Sequence, residues 1–250
     1  MMSAALHNTV CSALDKMKVR GPEIATDSVV SQPYDLPAAP SAERSAPSDS
    51  AERPAFTLLS ENTEANYQVR QYPSLIVAET SMSPAARANE SGRGDGDPNP
   101  FMTLAGFIGV LSTPANHAPE SAEPVPIAMT SPVLSPSDST KMTFVMPSRF
   151  TMETMPVPTD PAVTVAELPP KMYAVRSFSG WAREDEMQTV AKTLKETLTK
   201  HGVAMKLDEA TGEPIWLQAR YDSPWVPAEK RTNEVLMELT EAPSIAAANL

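Results

Sequence analysis

The chain has 250 residues, with 20 Lys and Arg against 31 Asp and Glu, a formal net charge of -11. That length supports one large domain or two small ones, and the acidic balance argues against nucleic acid as a main partner, because a phosphate backbone is bound by a basic surface. The single cysteine, Cys11, excludes an internal disulfide and fits a reducing compartment, and no apolar run approaches the ~18 residues that span a bilayer.

The first twenty residues, MMSAALHNTVCSALDKMKVR, are Ala- and Ser-rich and carry one acid, Asp15. Two readings stay open, an organelle-targeting peptide and an ordinary frayed terminus. A secretory signal is not expected, because no continuous apolar core follows a charged start. Residues 21–53 add Pro, Ser, Ala and scattered charge but few large apolar side chains. Such a stretch cannot bury enough surface to offset its ordering entropy, so residues 1–53 are expected to form a disordered arm. A domain is expected over 54–241, with 242–250 as a loose tail.

Asn66 to Met82 reads as one long strand interrupted at Pro73, with Leu75 to Ala78 as its buried continuation. Ser83 to Asn99 is a Gly- and charge-rich loop. It holds a glycosylation-type tripeptide, Asn89-Glu90-Ser91, and an adhesion-type tripeptide, Arg93-Gly94-Asp95. Both need an extracellular setting and are assigned to chance. Pro98 to Gly109 predicts a short helix, with Asn99 as its cap and Pro100 in the first turn. Phe101, Leu104, Ala105 and Ile108 share one face of it.

A loop over 110–126 carries His117. Pro126 to Leu134, PIAMTSPVL, then predicts a strand with two largely apolar faces. Pro132 removes a ladder donor, which places that strand at a sheet edge or at a bulge. It is either a packing strand or one side of a groove for a flat apolar ligand. Lys141 to Met146 is its hairpin partner, across turn residues Ser135 to Asp138.

The second half can be laid over the first at an offset of 96, Val165 to Pro169 on Val69 to Pro73. This predicts two repeats, 66–147 and 163–240, each a strand with a mid-strand Pro, a helix and two further strands. The second helix, Arg183 to His201, places Met187, Val190, Ala191, Leu194 and Leu198 on one face. Acids fill its first turn, Lys200 and His201 its last, and Gly202 stops it, so His201 has a structural explanation in the helix dipole. Strands over Pro214 to Tyr221 and Asn233 to Leu239 close the chain.

Five segments in this order carry a resemblance: Tyr67-Gln68-Val69-Arg70-Gln71-Tyr72, Ala128-Met129-Thr130-Ser131-Pro132-Val133, Phe144-Val145-Met146-Pro147-Ser148, Val175-Arg176-Ser177-Phe178-Ser179-Gly180, and Tyr221-Asp222-Ser223-Pro224-Trp225 leading to Arg231-Thr232-Asn233-Glu234-Val235. Over roughly 56–241 the chain resembles the SOUL heme-binding protein family, and within it the plant and algal plastid-type members. The resemblance implies an α+β fold, a distorted antiparallel β-barrel of two pseudo-symmetric βαββ repeats with two flanking helices. It also implies a heme or other tetrapyrrole held in an apolar groove beside the first helix, and the leading expectation is a carrier or buffer and not an enzyme. Carried over residue by residue, the binding positions are Phe101, Leu104, Ala105, Met129, Trp225 and Arg231, with Lys230 as a reserve cation. Aromatic and thioether groups suit the macrocycle faces, and a cation suits the propionates.

Some relatives have histidine where this chain has Gln71, and Thr232 stands where a second arginine is common. Binding without a strong protein iron ligand and with a weaker anion clamp is therefore expected, and no metal site is assigned. His117 is the remaining axial candidate, as haem proteins can use His. The expected compartment is plastid or cytoplasm. Two other readings are kept. One is a cofactor-free hydrolase using the same groove, for which Glu234 is the only base that can be named. The other is an interaction module whose protein partner meets the N-terminal arm. No nucleophile–base pair, metal cluster or phosphate loop is legible in the sequence.

Overall fold

The structure is a computed structural model that describes residues 51–83 and 99–242. The chain separates into two units, Met1–Arg44 and Ser45–Leu250, and every described residue belongs to the second. The arm up to residue 50, with His7 and Cys11, lies outside the described residues. So do Asn89-Glu90-Ser91, Arg93-Gly94-Asp95 and the tail from residue 243.

The elements run β1 (Thr57–Asn62), β2 (Tyr67–Tyr72), β3 (Leu75–Ser81), α1 (Pro100–Ile108), β4 (Asn116–His117), β5 (Val133–Pro136), β6 (Lys141–Val145) and β7 (Val157–Pro158). They continue with β8 (Thr164–Leu168), β9 (Lys171–Phe178), α2 (Glu184–Lys200), β10 (Trp216–Arg220) and β11 (Asn233–Glu238). Nine strands form one curled antiparallel sheet in the order β1-β2-β9-β11-β10-β5-β6-β3-β8, while β4 and β7 pair separately. With the two α-helices of the described residues, this is the expected α+β, barrel-like architecture. No helix among the described residues is long and apolar enough to cross a membrane.

Alternation along the strands sorts the core into layers. Ala78 and Phe144 join Leu104, Phe107 and Ile108 beneath α1. Val69, Ala174, Val235 and Met237 join Met187, Ala191, Leu194 and Leu198 beneath α2. Residues of opposite parity, among them Tyr72, Val77, Val145, Tyr173, Val175 and Leu236, form a third cluster on the other face of the sheet. The apolar stripe read for α2 is thus the buried one, with Val190 half-buried at its margin. Its ends also agree with the reading: the Glu186 carboxylate accepts from the Arg183 amide at 3.1 Å, and Gly202 follows with φ +67°.

Two strand expectations change. The long strand over 66–82 is two strands, β2 beside β9 and β3 between β6 and β8, because Pro73 and Ser74 leave the ladder between them. The strand over Pro126–Leu134 begins only at Val133, because Pro132 has no amide to donate. Its peptide bond with Ser131 is cis. β5 also lies inside the sheet, between β10 and β6, and not at an edge. Upstream of it, Thr130 forms an isolated bridge with Glu52.

Candidate ligand-binding site

Helix α1 carries the first set of expected binding residues. Asn99 accepts from the Phe101 and Met102 amides, and Pro100 occupies the first turn. At the other end Gly109 has φ +83°, and a Cβ there would stand 2.5 Å from Pro114 Cγ, so the turn requires glycine. Leu104 is fully buried beside Phe107, Ile108 and Phe144, and Ala105 is buried as well. Met129 packs half-buried against the same cluster. Phe101 is different: it is 40% exposed, with its ring edge-on to Phe144 at 5.6 Å between centroids. It has the angular position of a core residue but sits in the first turn, where part of its ring stays in water. Phe107, which the spacing argument passed over, is fully buried.

The C-terminal end of α1 is tied to the following loop. The Asn116 side chain donates to the Phe107 carbonyl at 2.6 Å and to the Val125 carbonyl at 3.0 Å. The Ile127 amide donates to the Ile108 carbonyl at 3.0 Å. His117 is bound within this loop, its Nδ1 lying 2.8 Å from the Ala118 carbonyl and 3.1 Å from the Ser121 carbonyl. Two carbonyl acceptors require the proton on Nδ1. His201 lies against Tyr67, with 3.2 Å between the phenol oxygen and Nδ1.

The second set occupies the loop after β10. Trp225 is 71% exposed and Trp181, from the turn before α2, is 50% exposed. The Arg231 guanidinium lies 4.1 Å from the Trp181 ring centroid. It donates through Nε to the Val226 carbonyl at 2.7 Å and through Nη2 to the Pro224 carbonyl at 2.5 Å. Burial lowers its pKa from the ordinary arginine value, partly offset by Asp222. Arg231 therefore braces its own loop and stacks on an aromatic ring, a stronger engagement than a free rim cation would have. Lys230 beside it is exposed. The six expected residues thus fall into two sets. Leu104, Met129 and Phe101 gather around Phe144, with Ala105 buried on the same helix, while Trp225 and Arg231 share the 221–231 loop. Ser131, two residues from Met129, links the sets by donating to the Tyr221 carbonyl at 3.1 Å.

On the sheet face away from the helices lies a buried ionic cluster. Arg70 binds Glu234 through both terminal nitrogens, at 3.0 and 3.1 Å. Glu234 also accepts from the Ser177 hydroxyl at 2.9 Å and from the Tyr221 hydroxyl at 2.6 Å. Burial disfavours the Arg70 charge, but Glu234 and Tyr72 outweigh it, and its pKa stands above the ordinary arginine value. The Tyr221 phenol is pushed up by burial and by Glu234. Four donors on two carboxylate oxygens use the lone pairs of Glu234, so accepting a substrate proton would require one of these bonds to break. Arg70, Ser177 and Tyr221 were missed as its partners. The one local hint was an arginine at an inward position of an otherwise well-buried strand.

A cavity of about 550 Å³ opens at another place, where the extended segment Glu52–Ala55 crosses the ends of β3 and β6. None of the six expected residues lines it.

Among the described residues two helices flank one face of a curled antiparallel sheet, which defines an α+β protein. The model of the SOUL heme-binding protein family matches residues 51–238, and the chain belongs to that family. Membership supports heme or tetrapyrrole binding at the level of the family. Among solved structures, the chain is similar to a candidate bacterial transcription regulation protein from Staphylococcus aureus MU50, at 14% identity, with 70% of this chain and 99% of that chain covered and a TM-score of 0.36. It is also similar to SAV2435 bound to tetraphenylphosphonium, at 14% identity, with 70% and 93% coverage and a TM-score of 0.35. No curated protein matches the sequence.

Proposed function

We propose that this protein binds heme or another tetrapyrrole as a carrier or buffer, between the exposed flank of α1 and the 221–231 loop. The observation that carries the reading is the family match over 51–238. The chemistry of the residues fits the ligand. Phe101 and Trp225 offer exposed aromatic faces, Met129 a half-buried thioether, and Leu104 and Ala105 a closed apolar floor. The exposed rings and the thioether are groups that contact a flat macrocycle without chemistry of their own, while Leu104 and Ala105 support them from below.

The anionic edge of the ligand meets a thin clamp. Two nitrogens of Arg231 are used by loop carbonyls, which leaves Nη1, with Lys230 as a second cation. Iron is held weakly in this reading, because His117 and His201 are engaged in their own contacts and Gln71 is a poor ligand. The protein acts as a binder and not as an enzyme, in the plastid or the cytoplasm.

Hemin titration followed by absorption tests the proposal. Phe101→Asp or Met129→Asp should weaken the Soret change at least tenfold, since each puts a carboxylate against an apolar ring. Titrations that overlay the parent protein would refute the assigned groove.

A further inference from the structure

We propose that the cavity behind the Glu52–Ala55 segment is a second binding site, for a small apolar molecule bearing a cationic amine. This goes beyond the tetrapyrrole reading and does not depend on it. At about 550 Å³ the cavity is in the size range of small-molecule sites. Its floor is apolar, with Leu75, Ile76, Val145, Met146 and Phe150.

The outer wall is held in place at several points. The Glu52 carbonyl accepts from the Ser131 amide at 2.9 Å and its carboxylate from the Ser148 amide at 2.8 Å. Further along, the Phe56 ring lies 4.5 Å beneath the Arg70 guanidinium and 5.5 Å from the Tyr72 ring. The charges give the ligand class. Glu52, Glu153 and Glu167 line the cavity against one cation, Arg53, whose guanidinium lies over the Tyr221 ring at 5.0 Å. Glu167 accepts from the Ser74 hydroxyl, which orients its carboxylate. Three carboxylates against one stacked guanidinium favour an ammonium over a carboxylate, which separates this ligand class from the dianionic heme.

Two probes with the same ring and opposite charge test this on the full chain: 1-naphthylmethylamine and 1-naphthoate, titrated calorimetrically at low salt. The amine should bind about tenfold or more tightly than the naphthoate, with the preference shrinking as salt rises. Ala55→Trp fills the space from an exposed position of the wall and should abolish amine binding while hemin titration is unchanged. Met152→Trp, at another exposed lining position, serves as a second blocking variant, with circular dichroism as the folding check. Glu153→Gln with Glu167→Gln should reduce the charge preference without closing the space. Phe101→Asp should leave amine binding intact, which separates this site from the tetrapyrrole groove. Equal affinity for both probes, no amine binding at millimolar concentration, or amine binding that survives both folded Trp variants would overturn the proposal.

Discussion

Glu234→Ala is expected to be among the most damaging single changes in the domain. The Arg70 and Glu234 side chains are 10% and 5% exposed and joined by two bonds. Removing one partner of a buried pair leaves an uncompensated charge, at a cost of about 3–5 kcal/mol. Arg70 keeps the Gln68 side-chain oxygen Oε1 at 2.8 Å and the Phe56 ring, which places the expected loss toward the lower end, about 3 kcal/mol. With a urea dependence of about 2 kcal/mol per molar, the midpoint should fall by about 1.5 M. The double variant Arg70→Met with Glu234→Leu removes both charges together and should be more stable than Glu234→Ala alone. Urea melts of the parent protein and these two variants, followed by far-ultraviolet circular dichroism, make the comparison. A loss below about 1 kcal/mol for Glu234→Ala, or a double variant no better than the single one, would refute a tightly coupled pair.

Gly109→Ala forces a Cβ into both a left-handed turn and the Pro114 ring, and should cost about 2–4 kcal/mol in thermal melts, against about 1 kcal/mol for loss of the Asn99 cap in Asn99→Ala. Leu194→Ala, fully buried beneath α2, should cost about 2–5 kcal/mol in urea melts. Glu238 supplies a pH test. Burial by itself would raise its carboxyl, but the Lys171 and Lys206 ammonium groups, at 2.7 and 2.9 Å, hold it below the usual range. A depressed folded value means stability that is present above the unfolded pKa of about 4.3 and lost as pH falls through the folded one. Lys171→Met should therefore flatten the stability decline between pH 6 and pH 3, and an acid limb that overlays the parent protein would refute the assignment.

What the sequence determined by itself was local. The limits of α1 and α2 followed from Asn99, Pro100, Gly109, the acids at Glu184–Glu186 and Gly202, because caps and dihedral preferences act within a few residues. The buried stripe of α2 followed from helical period, since Met187, Ala191, Leu194 and Leu198 face the sheet whatever lies beneath. The tertiary structure decided which strands became neighbours: Pro73 could be read as a break, but not that β2 would join β9 while β3 joined β6 and β8. It set Phe101 partly in water and Phe107 in the core, because burial depends on what stands above a turn as well as on its angle. It gave Arg231 two carbonyls and a tryptophan ring in place of an open rim. Arg70 and Glu234 are 164 positions apart, and the cavity draws its walls from residues between 52 and 167. Contacts across such separations leave no periodicity in the chain, because they depend on how the sheet curls and which loop crosses its ends.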